Sequence, residues 1–171
     1  MPTNMFAKFH TIDGGCEDKN HEGWCEISSV EQDFDQKKSV SEDSTTNPNT
    51  SKVEHSEITI SKIVDEASME LMKYCWEGRQ MPTVEIRCFR AGKGKVPGST
   101  TEAPILYFKI ELKKVVIKKF AYKGDEGNLI SEDLDLVAGE AKYTFTKMDK
   151  HDGSAKGFKQ ASHNLLTGVI A

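Results

Sequence analysis

The sequence predicts a mainly β protein, a sandwich or small barrel of antiparallel sheets flanked by a single helix. Three observations carry this. Apolar and polar residues alternate along most of the 171-residue chain, which is the period of a half-buried strand. Two alternating runs reverse their phase partway, and such reversals mark bends that let one long strand serve two sheets. A single segment combines helical spacing with clear start and stop signals.

The first run is MFAKFHTI, Met5 to Ile12, with Met5, Ala7 and Phe9 on one face and Phe6, Lys8 and His10 on the other. Asp13-Gly14-Gly15 closes it as a turn. CEDKNHEGWC follows, with the spacing C-x4-H-x3-C. Cys16, His21 and Cys25 are therefore candidate ligands for a structural zinc ion, which takes four nitrogen or sulfur donors. GWCEISSVEQDF, Gly23 to Phe34, reads as a second strand punctuated by serines. Residues 36–55 are rich in Ser, Thr and Asn, with only two Val among their apolar members. Such a stretch buries too little surface to offset the entropy of ordering it, so a flexible loop is expected.

SEITISKI restores a short strand, and the helix follows. Asp65 is a natural N-cap before EASMELMKYCWE, and Gly78 is placed to end the helix. Glu66, Glu70, Lys73 and Glu77 form one narrow polar stripe. Ala67, Leu71, Tyr74 and Cys75 flank it on one side, with Met69, Met72 and Trp76 on the other. An arc that wide predicts burial against more than one surface, with core packing favoured and a neighbouring subunit as the alternative for Met69, Met72 and Trp76.

Pro82 opens the strand Thr83 to Ala91, and AGKGKVPGST reads as a loop. That loop lacks the GK[ST] order and precedes a strand, so it does not cradle phosphate. ILYFKIELKKVVIKKFAY, Ile105 to Tyr122, is the long strand. Leu106, Phe108, Ile110 and Leu112 share a face, Val115 and Ile117 take the other parity, and Phe120 and Tyr122 return to the first. In the last long strand Leu134, Leu136 and Ala138 share one face. Ala141, Tyr143 and Phe145 take the other after Gly139. Asp149 to Gly153 misses the calcium-loop spacing and reads as a turn, and about 150–171 is expected to be an irregular tail.

Composition narrows the function classes. A net charge of −4 argues against general nucleic-acid binding. No apolar run is long enough for a membrane span, and the N-terminus lacks the signature of a signal peptide, so folding in the cytoplasm is expected. Cys16, Cys25, Cys75 and Cys88 form no C-x2-C pair and are expected as free thiols. No nucleophile or metalloprotease motif occurs, so neither catalytic residues nor a cofactor is expected.

Several strings together resemble the haemolysin-coregulated protein (Hcp) family, the tube protein of type VI secretion. MFAKFHTIDGGCEDKNHEGWCEI is similar to the family's first strand, turn, D-x-x-H and following strand. SEITISKIVDEASMELMKYCWEGRQMPTVEIRCFRAG is similar to its most specific block. That block is a strand ending in Lys, then D-x-x-S, the helix, G-x-x-x-P and a strand ending in R-A-G. SEDLDLVAGEAKYTF resembles its last long strand.

The resemblance implies a single domain over 1–171, a small β-barrel of two antiparallel sheets with one flanking α-helix and a long extended loop. It also implies a non-enzymatic subunit that forms hexameric rings and stacks them into tubes. Partners implied are a spike protein at the tube tip, a contractile sheath and small effector proteins held in the pore. The tube is exported without a signal peptide. By this comparison Val30, Glu31 and Gln32 face the pore, where the chain departs from the family's usual aromatic, serine and glycine pattern. Lys37, Lys38, Val40, Lys52, Val53, Lys93, Lys95 and Val96 lie in loops that contact the next ring. Two rivals stay open: a phage-like tail-tube protein, and a metal-binding β-module using Cys16, His21 and Cys25. By the comparison His21 is a structural residue hydrogen-bonded within a turn.

Overall fold

Three long strands form the spine, and the rest of the chain is arranged on them. The computed structural model describes residues 5–36, 53–95, 102–151 and 153–171. Its elements in chain order are β1 (Met5–Phe9), β2 (Cys25–Glu26), β3 (Ser29–Glu31), β4 (Phe34–Gln36), β5 (Val53–His55) and β6 (Ile58–Ile63). Then come α1 (Ser68–Glu77), β7 (Gln80–Lys95), β8 (Glu102–Lys123), β9 (Ser131–Met148), β10 (Ala155–Asn164) and β11 (Val169–Ile170). All pairings are antiparallel. One sheet runs β11-β10-β9-β8-β7-β1-β2, with β6 and then β3 branching from β9, and β4 with β5 forms a separate two-stranded ribbon. Among the described residues the outer strands β2 and β11 do not pair with each other, so the sheet curls without closing by hydrogen bonds.

The phase reversals in the sequence lie where the strands bend. Leu112 and Val115 are both buried although they are of opposite parity. Lys114 between them takes a left-handed conformation, φ 54°. Its opposite number in the ladder is Gly139, since Lys113 pairs with Glu140 and Val115 with Ala138. A second slip in register separates Ile117 from Lys119, just before Phe120 regains the first phase. At the Gly139 level β9 also changes neighbours. Residues 131–136 pair with β6, and residues 140–148 pair with β10. One strand thus serves two parts of the fold, and the core fills the concave side between them. It contains Phe9, Ile27, Ile60, Leu71, Met81, Ile86, Leu112, Leu134 and Leu136.

The helix keeps its expected ends, with a refinement at the start. Asp65 accepts from the Ala67 amide (2.9 Å) and the Ser68 hydroxyl accepts from the Asp65 amide (2.9 Å), a reciprocal cap around one turn before α1 proper. Gly78 sits at φ 59° with its N–H on the Cys75 carbonyl, and Arg79 N–H reaches the Tyr74 carbonyl.

Several expectations are corrected. The strand expected over Gly23 to Phe34 is broken into β2, β3 and β4. Serine is the reason, because Ser28 donates both its amide and its hydroxyl to the Ser61 carbonyl. β7 begins at Gln80, before Pro82, and runs on to Lys95, so Lys93 and Lys95 belong to a ladder with Pro104 and Glu102 rather than to a loop. The tail expected to be irregular forms the β10–β11 hairpin. Helix α1 buries only one face within the protomer: Leu71 is buried, while Met69 and Trp76 are 55% and 77% exposed.

Candidate functional site

The Cys16 to Cys25 connection is held by polar turns. The Asp18 carboxylate accepts from the Asn20 amide and pairs with His21 Nδ1, each at 2.9 Å. The His21 hydrogen bond is the main reason the Asp18 carboxyl titrates below its ordinary value. His21 is 4% exposed. Its ring stacks on Phe6 at 4.1 Å and meets Trp24 and Phe89 edge-on. Arg87 covers the far side of Trp24, 4.4 Å from its ring centre. The histidine is thus a wall of the core.

The two cysteines diverge from it. Cys16 Sγ lies against the Glu26 carboxylate at 3.8 Å. Cys25 is buried beside Asp65, and desolvation pushes its thiol up to about 12. Zinc requires thiolates, and neither environment favours one. Among the described residues no three His, Cys, Asp or Glu side chains converge in a way that could hold a metal ion. The zinc set Cys16, His21 and Cys25 is not brought together.

A polar cluster built on one local string and a partner from another strand lies deeper. β6 sends Ile58, Ile60 and Lys62 to the interior. Lys62 Nζ meets Glu132 Oε1 at 2.7 Å and Asp65 Oδ1 at 2.6 Å, and it donates to the Ile63 carbonyl at 3.1 Å. The Ser68 hydroxyl joins the cluster 3.2 Å from Lys62 Nζ and donates to Glu132 Oε1 at 3.0 Å. Glu132 stands directly across the ladder from Lys62. Both side chains are 0% exposed. The ion pairs tie β6, β9 and the start of α1 together, which is what the string Lys-x-x-Asp-x-x-Ser encodes locally. The signal available in sequence is Lys62 at an inward parity position after two isoleucines.

The candidate assembly residues are placed unevenly. In β3, which among the described residues pairs with β6 alone, Val30 packs against the core and Glu31 is exposed. Gln32, just beyond, accepts the Tyr143 hydroxyl at 2.7 Å and is half-buried. Of the three, Glu31 is the side chain turned outward. Met69 and Trp76 are exposed on α1 and Met72 is half-buried. Val53 begins β5, paired with Gln36. Lys37, Lys38, Val40, Lys52 and Val96 lie outside the described residues. Exposed Tyr107, Phe145, Phe158, Leu166, Val169 and Ile170 add apolar surface that alternation alone does not flag, because strands of an open sheet can leave either parity uncovered.

Comparison with known proteins fits this geometry. Residues 6–151 match the family model described as type VI secretion system effector, Hcp. No curated protein sequence matches the chain. Among solved structures, a type six secretion system protein superposes with TM-score 0.84 at 20% identity, covering 98% of each chain. Hcp1 from Salmonella typhimurium gives TM-score 0.72 at 19% identity over 98% of this chain and 97% of its own. A type VI secretion system effector from Yersinia pestis gives 0.71 at 20% identity over 94% and 98%. At these identities the structural likeness establishes the fold, and the family match carries the assignment.

Proposed function

The chain belongs to the Hcp family of type VI secretion proteins, and from that premise we propose that it is a structural subunit of the inner tube. Six copies close a ring, rings stack, and the tube is exported with a spike protein at its tip inside a contractile sheath. The role is mechanical rather than catalytic. Glu31 lines the pore with its neighbours Val30 and Gln32, and the pore holds small effectors. Val53, Lys93 and Lys95 lie at the ring-to-ring contacts, together with Lys37, Lys38, Val40, Lys52 and Val96.

The observation that carries the assembly is the outer face of α1. Met69 and Trp76 stand exposed beside a polar stripe of glutamates and Lys73, on a helix whose other face is already packed. A large exposed aromatic on a rigid element is the usual anchor of a protein interface. Ring subunits meet head to tail, so each copy presents such a face to a different surface of the next. Native mass spectrometry and electron micrographs of the purified protein test this directly. Six-membered rings of one size are expected. A protein that stays monomeric at high concentration overturns the reading.

A further inference from the structure

His55 and His163 lie 108 residues apart in sequence, yet their rings meet, with His163 Nδ1 2.6 Å from His55 Nε2. The contact joins two peripheral hairpins that no ladder connects. His55 ends β5, opposite Phe34 of β4. His163 lies on β10, paired with Ala141 of β9 and Ile170 of β11. We propose that this imidazole pair is an acid-sensitive latch, which holds the β4–β5 ribbon to the C-terminal hairpin when both rings are neutral and releases it when they charge.

The proton count carries the proposal. At 2.6 Å only one proton fits between the two nitrogens. His55 Nδ1 is buried with no partner among the described residues. An orphaned lone pair is tolerated more easily than an orphaned N–H, which makes His55 the donor through Nε2–H and His163 Nδ1 the acceptor. A further proton then has two places to go. On His55 Nδ1 it creates a buried charged N–H with no acceptor. On His163 Nδ1 it sets two N–H groups against each other and breaks the bond. Two charged rings at this distance repel outright.

The surroundings do not rescue the charge. Phe34 meets the His55 ring edge-on at 4.8 Å, and Tyr143, bonded to Gln32, stacks edge-on against Phe34. The ionised side chains that line the same cavities are Glu57 and Lys118 with His55, and Glu111, Lys113, Glu140 and Lys142 with His163. Glu57 is paired with Lys118, Glu140 with Lys113 and Glu111 with Lys109. Among the described residues none of these three carboxylates is hydrogen-bonded to either ring. Burial, then the charge of His163, holds the His55 imidazole below its ordinary value. A base depressed in the folded state adds stability that is present above its unfolded value, about 6.5, and is lost as the pH falls below it.

The latch is a property of the protomer. Its consequence, weaker stacking of rings in acid because β5 borders the contact region, rests on the tube reading above. Amide hydrogen exchange at pH 7.5 and 5.5, corrected for intrinsic rates, tests the latch. Protection of 53–55 and 162–164 is expected to fall about ten-fold at the lower pH, one unit below the ordinary imidazole value, while β7 and β8 stay unchanged. His55→Gln keeps a donor without titrating and His163→Phe removes the acceptor; each single variant leaves one titrating ring, so the double variant is the one expected to abolish the pH step. Equal protection at the two pH values in the wild type, or a full step surviving in the double variant, overturns the latch. Sedimentation of the same samples separates the two ideas. If rings stack at neither pH while exchange still responds, the latch stands and the tube reading fails.

Discussion

Lys62 is fully buried, so its ammonium must be satisfied by Glu132, Asp65, Ser68 and the Ile63 carbonyl. Lys62→Met leaves the buried Glu132 without its cation, and removing one partner of a buried pair costs about 3–5 kcal/mol. Urea unfolding should show that loss, whereas the double variant Lys62→Met/Glu132→Leu should recover most of it. A double variant no more stable than the single one would mean that the cluster does something beyond charge pairing. Thiol chemistry gives a second prediction at this scale. Cys25 and Cys88 are buried with thiols pushed up by desolvation, Cys16 is raised in the same way, and Cys75 is the one cysteine that is not fully buried. A disulfide reagent at pH 8 should therefore label Cys75 first and the other three only after denaturant is added, with the order read by peptide mass mapping. The role of His21 is legible through the family resemblance, which carries D-x-x-H as a turn; its spacing with Cys16 and Cys25 alone reads as a zinc set. The role of Glu132 is not legible, because its partner lies on another strand and only the ladder reveals the pairing.

At the scale of elements, the bends decide which substitutions the strands tolerate. Lys114 holds φ 54° inside a strand, where a side chain bears strain, and Gly139 faces it across the ladder. A Cβ at Gly139 would meet Lys114 Cβ at 3.2 Å and Leu166 Cδ1 at 3.3 Å. Gly139→Ala is thus expected to destabilise by about 1–2 kcal/mol. Lys114→Gly should be neutral or stabilising by up to about 1 kcal/mol, against the usual cost of glycine in a strand. Chemical denaturation of both variants checks the signs, and a clear loss for Lys114→Gly would refute the strain argument. The bends are readable because parity is a one-dimensional record of which face is buried. The fragmentation of residues 25–36 and the order of β10–β11 are not readable that way. In both, pairing across the sheet outweighs weak alternation: Lys159 sits opposite Phe145, and Ser162 opposite Lys142.

For the whole molecule, the question is whether the exposed face of α1 is a contact. Truncating a central aromatic anchor typically costs about 2 kcal/mol or more, and each 1.4 kcal/mol or so is a factor of about ten in affinity. Replacing Trp76 with glutamate also sets a charge beside Glu77. Trp76→Glu should therefore yield folded monomers at concentrations where the wild type forms rings, with an unchanged far-ultraviolet spectrum and a melting temperature lowered by the loss of assembly. Trp76→Phe, which keeps an aromatic ring, should retain them. Head-to-tail symmetry adds a sharper consequence. A Trp76→Glu copy has lost its helix face but keeps the surface that receives a neighbour's helix. Mixed with wild type, it can join an arc only at one end. Native mass spectra of such mixtures should then contain open arcs that carry at most one variant subunit each. A self-facing, two-fold contact would instead let the variant meet the wild type across the same patch and stop at dimers. Arcs with several variant subunits would show that Trp76 lies outside the contact altogether.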